Sequence, residues 1–160
     1  MAERTGNLLL PVSITRVWVI EILSHGMLYR FERDPAGLWF HHVGQHVHAP
    51  SSFVHQADPK LASLIEAELA GLDRLPIVRI VARHPDEAAL AGTGLEHPTT
   101  ILMLYGRDTA GPVGRVELGN TAADSPDRYV RIQQSDALVI VPDDAARHLA
   151  ILRQLAGTPS

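Results

Sequence analysis

Three strand-like runs lie between residues 16 and 43, joined by only a few residues each. This spacing constrains the fold more than any other feature of the chain. Residues 16–23 (RVWVIEIL) are rich in β-branched and aromatic side chains, and Ser24-His25-Gly26 ends the run. Residues 27–33 (MLYRFER) alternate, with Met27, Tyr29 and Phe31 on one side and Arg30 and Glu32 on the other, the pattern of a half-buried strand. Asp34-Pro35-Ala36-Gly37 has the residue types of a turn, and residues 38–43 (LWFHHV) supply the third run. A parallel crossover needs about a dozen residues, so these connections impose an antiparallel meander.

A helix follows. Asp58-Pro59 supplies a capping carboxylate and a proline at the first helical position. Leu61, Leu64, Ile65, Leu69 and Leu72 then recur at helical spacing, with Gly71 near the end. Residues 75–82 read as another strand and residues 85–90 as a short helical turn. The second half has a similar order. Strands are expected at 99–105, 113–118, 128–133 and 137–141. Pro142-Asp143-Asp144 then opens a helix with Ala145, Leu149, Leu152 and Ala156 on one face, stopped by Gly157. The expected fold is α+β: antiparallel β-meanders each followed by a covering helix, arranged as a tandem βββα-type repeat. Residues 1–160 are expected to form a single domain with pseudo-repeats at 14–82 and 95–157.

Composition removes several function classes. There are no cysteines, which excludes disulfides, thiolate nucleophiles, iron–sulfur clusters and Cys-based zinc sites. The formal net charge of −4 argues against nucleic-acid binding, which needs a basic face. No apolar run approaches the roughly 20 residues that span a bilayer. The expectation is a soluble chain. The lack of a signal peptide slightly favours the cytoplasm, with the periplasmic face of a membrane assembly as the alternative.

Short motifs resemble the bacterial domain-of-unknown-function 4340 family. In the second half they are Gly94-Leu95 with Pro98, a strand ending at Gly106, Leu118-Gly119, Tyr129-Val130-Arg131, and a strand closing at Pro142 before a helix. In the first half they are Ile14-Thr15-Arg16-Val17, Phe31-Glu32-Arg33, Gly37-Leu38-Trp39 and Ala57-Asp58. The resemblance covers most of the chain and its motifs are mainly structural. It carries no catalytic residues. It implies a module serving a larger assembly, since many family members have a membrane anchor and occur beside transporter-like genes. The anchor is not found in this sequence, and the histidine cluster described next is not a family feature.

Five of the nine histidines fall in Trp39 to Asp58: His41, His42, His46, His48 and His55. In extended backbone, residues two apart point to the same side, so His46 and His48 could converge on one ion. His41 and His42 point to opposite sides, so at most one joins from a regular strand, and His55 could return across the loop. Such a set of imidazoles suits Zn, Cu or Ni. The alternative is a polar surface loop, because no spacing here matches a closed zinc motif. Gly92-Thr93-Gly94 is a weak phosphate-loop signal and reads better as a turn. His84-Pro85-Asp86-Glu87 could hold an acid–base pair, but the carboxylates are explained by a helix start. Tyr129 and Arg131 share a strand face opposite Glu117 or Arg115, the arrangement of a cross-strand ion pair. No GxSxG or HExxH motif occurs. Trp39, Phe40 and Phe53, with Trp18, would form a partner-binding patch if one sheet face stayed open.

The expected function is therefore a non-catalytic accessory or interaction module of a larger bacterial protein assembly, with a protein partner. The alternative is a transition-metal-binding protein using residues 41–55.

Overall fold

The structure, a computed structural model, describes residues 6–43 and 57–160. A 3-10 turn over Ile14–Arg16 leads into β1 (Val19–Ser24), β2 (Met27–Arg33) and β3 (Trp39–His42). Helix α1 (Pro59–Arg74), β4 (Arg79–Arg83) and the short helix α2 (Glu87–Leu90) follow. The second half holds β5 (Thr100–Tyr105), β6 (Gly114–Thr121), β7 (Arg128–Ile132), β8 (Ala137–Val141) and α3 (Asp144–Ala156).

All eight strands form one sheet in the order β3-β2-β1-β5-β6-β7-β8-β4, and every neighbouring pair is antiparallel. This corrects the expected tandem βββα repeat of 14–82 and 95–157. The two meanders do not make separate sheets, because β1 pairs with β5 along its whole length, from Val19 opposite Tyr105 to Ser24 opposite Thr100. The first half also loses its fourth strand: β4 crosses to the far edge and pairs with β8. The physical reason is that β1 has a free edge after its hairpin with β2, and a strand edge is satisfied by whichever strand reaches it.

One sheet face is the core. Ile20, Ile22, Phe31, Leu102, Leu104, Val116, Val130 and Val139 are fully or almost fully buried there with Ile65, Leu69 and Leu72 of α1 and Ala145, Leu149 and Leu152 of α3. The helices begin and end as local chemistry dictates. Asp58 caps α1 by accepting from the Lys60 N–H at 3.0 Å, and Gly157 ends α3 with φ +74°. Leu64, expected on the apolar stripe of α1, is 54% exposed; the helix turns Ala62 inward instead. Helices α1 and α3 pack against each other. A Cβ on Gly71 would overlap the His148 imidazole, whose Nδ1 lies 2.5 Å from Glu68 Oε2.

The second sheet face is covered only in part. Leu90 and Leu95, from the segment that follows β4, pack on Leu138 with Ala82 and Tyr129. Gly119 allows this cover to sit close, since a Cβ there would strike the Thr93 carbonyl and Leu95. Over β1, β2 and β6 the same face carries charged side chains, and β5 between them carries Ile101, Met103 and Tyr105.

Candidate interaction surface

The residues picked out by sequence are not gathered by the fold into one site. His41 and His42 leave β3 on opposite faces. His41 lies beside Phe31, ring centroids 5.6 Å apart, and its Nε2 is 3.0 Å from Ser160 Oγ. Burial, and secondly His42, hold the His41 pKa below its ordinary value. His42 faces the charged side, its Nδ1 3.5 Å from Glu32 Oε2. His46, His48, His55 and Phe53 lie outside the described residues. Among the described residues no group of three or more His, Asp or Glu side chains is placed to hold a metal ion.

The aromatic pair also separates. Trp39 is 1% exposed, so its ring is core rather than surface. Phe40 is half-buried on the other face, 6.5 Å from the His42 ring. The Arg33 guanidinium lies 4.4 Å from the Trp39 ring centre and donates to three carbonyls, Val17 at 2.8 Å, Gly37 at 2.9 Å and Ile14 at 3.1 Å. This arginine ties the 3-10 turn, β2 and the β2–β3 turn together, and spacing alone gave no sign of it.

The charged part of the second face is a set of internal ion pairs. Arg30 donates to Glu21 at 2.7 Å and to Glu32 at 2.6 Å. Burial works against the Arg30 charge, but Glu32 and Glu21 outweigh it and hold its pKa above the usual value. Glu21 also accepts from the Tyr105 hydroxyl at 2.8 Å; burial first and this bond second raise the tyrosine's pKa. Arg115 pairs with Glu117 at 3.0 Å along β6, and Glu117 lies directly opposite Arg131 in the register. Arg131 donates to Asp136 at 3.0 Å, and this bond, followed by His84, pulls the Asp136 pKa down. Each charge here is answered by an internal partner, which is what a structural network requires.

The other sequence candidates resolve as local structure. Thr93 is buried, with Oγ1 donating to the Leu90 carbonyl at 2.6 Å, so Gly92-Thr93-Gly94 is a turn. Asp86 caps α2 by accepting from the Ala89 N–H at 2.9 Å, while His84 pairs with Asp136 at 3.1 Å.

The surface that is left is the β4 edge, which sequence reasoning did not single out. Among the described residues β4 is hydrogen-bonded along one side only, to β8, while on the other side Asn7 to Leu9 pair with Leu75 to Ile77 just before the strand. Its burial is low throughout, and Val78, Ile80 and Val81 are 55%, 41% and 42% exposed. Exposed branched apolar side chains on an edge strand, here Ile80 and Val81 with Val78 just before it, are unusual, because such edges template pairing with other chains. The ladder is irregular between Ile80 and Ala82: Ile80 faces Val139 and Ala82 faces Leu138. Val81 is thus the extra residue of a bulge. A cleft of about 280 Å³ opens beside this edge, lined by Leu8, Leu10, Ile77, Ile80, Ile132 and Val139, with Arg83, Gln134 and Ser135 also on its wall. A second groove of about 500 Å³ lies between β3 and α1, lined mainly by Leu38, Trp39 and small side chains of α1 such as Ala62, Ala67 and Ala70.

Compared with known proteins, the chain matches no family model, no curated protein and no solved structure. Among the described residues no helix is long and apolar enough to cross a membrane.

Proposed function

We propose that this chain is a non-catalytic interaction module of a larger bacterial protein assembly, and that it meets its protein partner along β4. The observation that carries this reading is the exposed edge strand β4, with Ile80 and Val81 on it and Val78 just before it, beside a cleft lined mainly by apolar side chains. An incoming strand there would gain main-chain hydrogen bonds along β4, and the cleft would take one of its side chains. The short motifs that resemble the domain-of-unknown-function 4340 family point to the same class of role.

Site-specific photocrosslinking in the organism of origin tests it. A photoreactive residue is placed at Val78 or Val81, and at Met27 as a control; Met27 is 46% exposed on β2, near the other edge of the sheet. The expected result is one protein adduct from positions 78 and 81 that position 27 does not give. No adduct from position 78 or 81, or the same adducts from all three, would overturn the proposal. So would turnover of a substrate by the purified chain.

A further inference from the structure

The chemistry of the β4 edge limits what can pair with it. Resting on the β4 reading above, we infer that the edge accepts an extended partner segment with an apolar residue two positions from a carboxylate, and that it rejects a second copy of this chain.

The argument starts from the bulge. Arg79 stands opposite Ile140 and Ala82 opposite Leu138, both on the sheet face away from α1 and α3. Ile80 stands opposite Val139 and Arg83 opposite Ala137, both on the core face. The extra residue therefore brings Ile80 and Arg83 to one face although they are three apart in sequence. Both line the cleft. A regular partner strand, with side chains alternating every second residue, meets these two with residues two apart. The residue beside Ile80 faces an apolar cavity. The residue beside Arg83 faces a guanidinium that has no ion pair among the described residues. An apolar side chain at the first position and a carboxylate at the second satisfy both. On the opposite face Arg79 has, among the described residues, only Asp124 at 3.8 Å, an exposed pair that a second carboxylate of the partner can join or replace.

The same residues disfavour self-association. The register that pairs the whole of β4 with the whole of another β4 is centred on Val81. It would set Arg79 of each copy opposite Arg83 of the other, but the bulge projects these two side chains from opposite faces, whereas directly opposed residues must share one, so the strands cannot pair along their whole length in that register. The two arginines thus act as a filter on an edge whose apolar centre would otherwise pair indiscriminately.

The test uses labelled synthetic peptides built on alternating threonine and valine, with a central Leu-Thr-Glu, Leu-Thr-Lys or Ser-Thr-Glu. Binding to the full chain is read by fluorescence anisotropy. The Leu-Thr-Glu peptide is expected to bind at least about tenfold more tightly than either of the others. Arg83→Glu, at an exposed position, should keep the circular dichroism of the parent and reverse the preference between the glutamate and lysine peptides. Val81→Pro should weaken all three, because proline on the bulge disturbs the edge. Equal binding of the glutamate and lysine peptides, absence of measurable binding to the glutamate peptide, or an unchanged preference in Arg83→Glu would overturn the inference. A dimer in sedimentation analysis that Val81→Pro dissociates would also overturn it. Failure here with position-specific crosslinking at Val78 and Val81 intact removes the acidic partner and keeps the interaction module. Failure of the crosslinking removes both.

Discussion

Arg33→Met should destabilise the fold by about 3 kcal/mol, and the structure shows how that figure arises. The Arg33 side chain is 13% exposed and sits on the Trp39 ring. Its three donors are spent on the carbonyls of Val17, Gly37 and Ile14. Hydrogen bonds from a charged donor are each worth about 1.5–3 kcal/mol when buried; partial exposure brings this nearer 1 kcal/mol each. The cation–π contact adds about 0.5–1 kcal/mol. Methionine keeps the apolar stem over Trp39 and so recovers part of the packing. Glu66, at 3.9 Å and 53% exposed, is screened by solvent and is left out of the sum. Arg33→Lys should fall between, since an ammonium is a single point donor and cannot span three carbonyls at once. The assay is urea unfolding followed by tryptophan fluorescence, to which only Trp18 and Trp39 contribute. A loss of about 3 kcal/mol would lower the melting temperature by roughly 6–12 °C for a domain of this size. If Arg33→Met unfolds within about 1 kcal/mol of the parent, the three carbonyls are satisfied by water and the arginine is not the tie that its geometry indicates.

Three further outcomes follow from other parts of the molecule. Gly71→Ala drives a methyl group into the His148 ring, so it should cost about 1–2 kcal/mol alone and become stabilising by up to about 1 kcal/mol in a His148→Ala background, where only helix propensity remains; additive effects in thermal melts would refute the close contact. For pH, burial and then His42 lower the His41 pKa below 6.5, so the folded state binds this proton less readily than the unfolded chain. Its contribution to stability is complete above about pH 6.5 and is lost as pH falls through the lowered folded value. Urea melts should therefore show the parent losing more stability than His41→Gln on acidification, and parallel pH curves would sink the assignment. A metal ion held by the histidine segment can draw on only one of His41 and His42, which leave β3 on opposite faces. In a zinc titration the double alanine variant should lose no more affinity than the more damaging single variant; a larger combined loss contradicts this.

Much of the fold could be read from local signals. The hairpins of the first half were visible because Ser24-His25-Gly26 and Asp34-Pro35-Ala36-Gly37 leave no room for anything but antiparallel neighbours, and β2 follows its alternation, with Tyr29 and Phe31 buried and Arg30 and Glu32 on the far side. Helix α1 starts where Asp58-Pro59 places it and α3 stops at Gly157. Leu64 shows the limit of spacing: it fits a helical stripe, yet which arc of a helix faces the core depends on what packs against it, and here α3 and β3 select the arc holding Ala62. The repeat failed for a similar reason. Strands followed by a helix occur in both halves, but that order says nothing of which edges meet. The β1–β5 pairing joins residues some eighty positions apart, and nothing in either strand's own sequence names its partner.

The candidate surface was hidden by the same non-locality. RIVAR in β4 has an apolar centre between two arginines, and in isolation it reads as a strand to be buried. Only its position at the end of the sheet, beyond β8, makes Ile80 and Val81 exposed. The histidines have the opposite history. Those of residues 41–55 stand out in composition, but the two of that cluster that the structure describes are drawn apart by the pleat of a single strand, one toward Phe31 and Ser160, the other toward Glu32. Composition registers how many ligands a segment carries, whereas coordination depends on their directions, and in a strand adjacent residues point oppositely. An edge strand has the reverse property: its composition is ordinary, and its chemistry comes from the row of unpaired backbone groups that neighbouring strands leave behind. That row is set by the order of the whole sheet. Arg79 and Arg83 acquire meaning as a filter only once the bulge at Val81 has placed them on opposite faces of it.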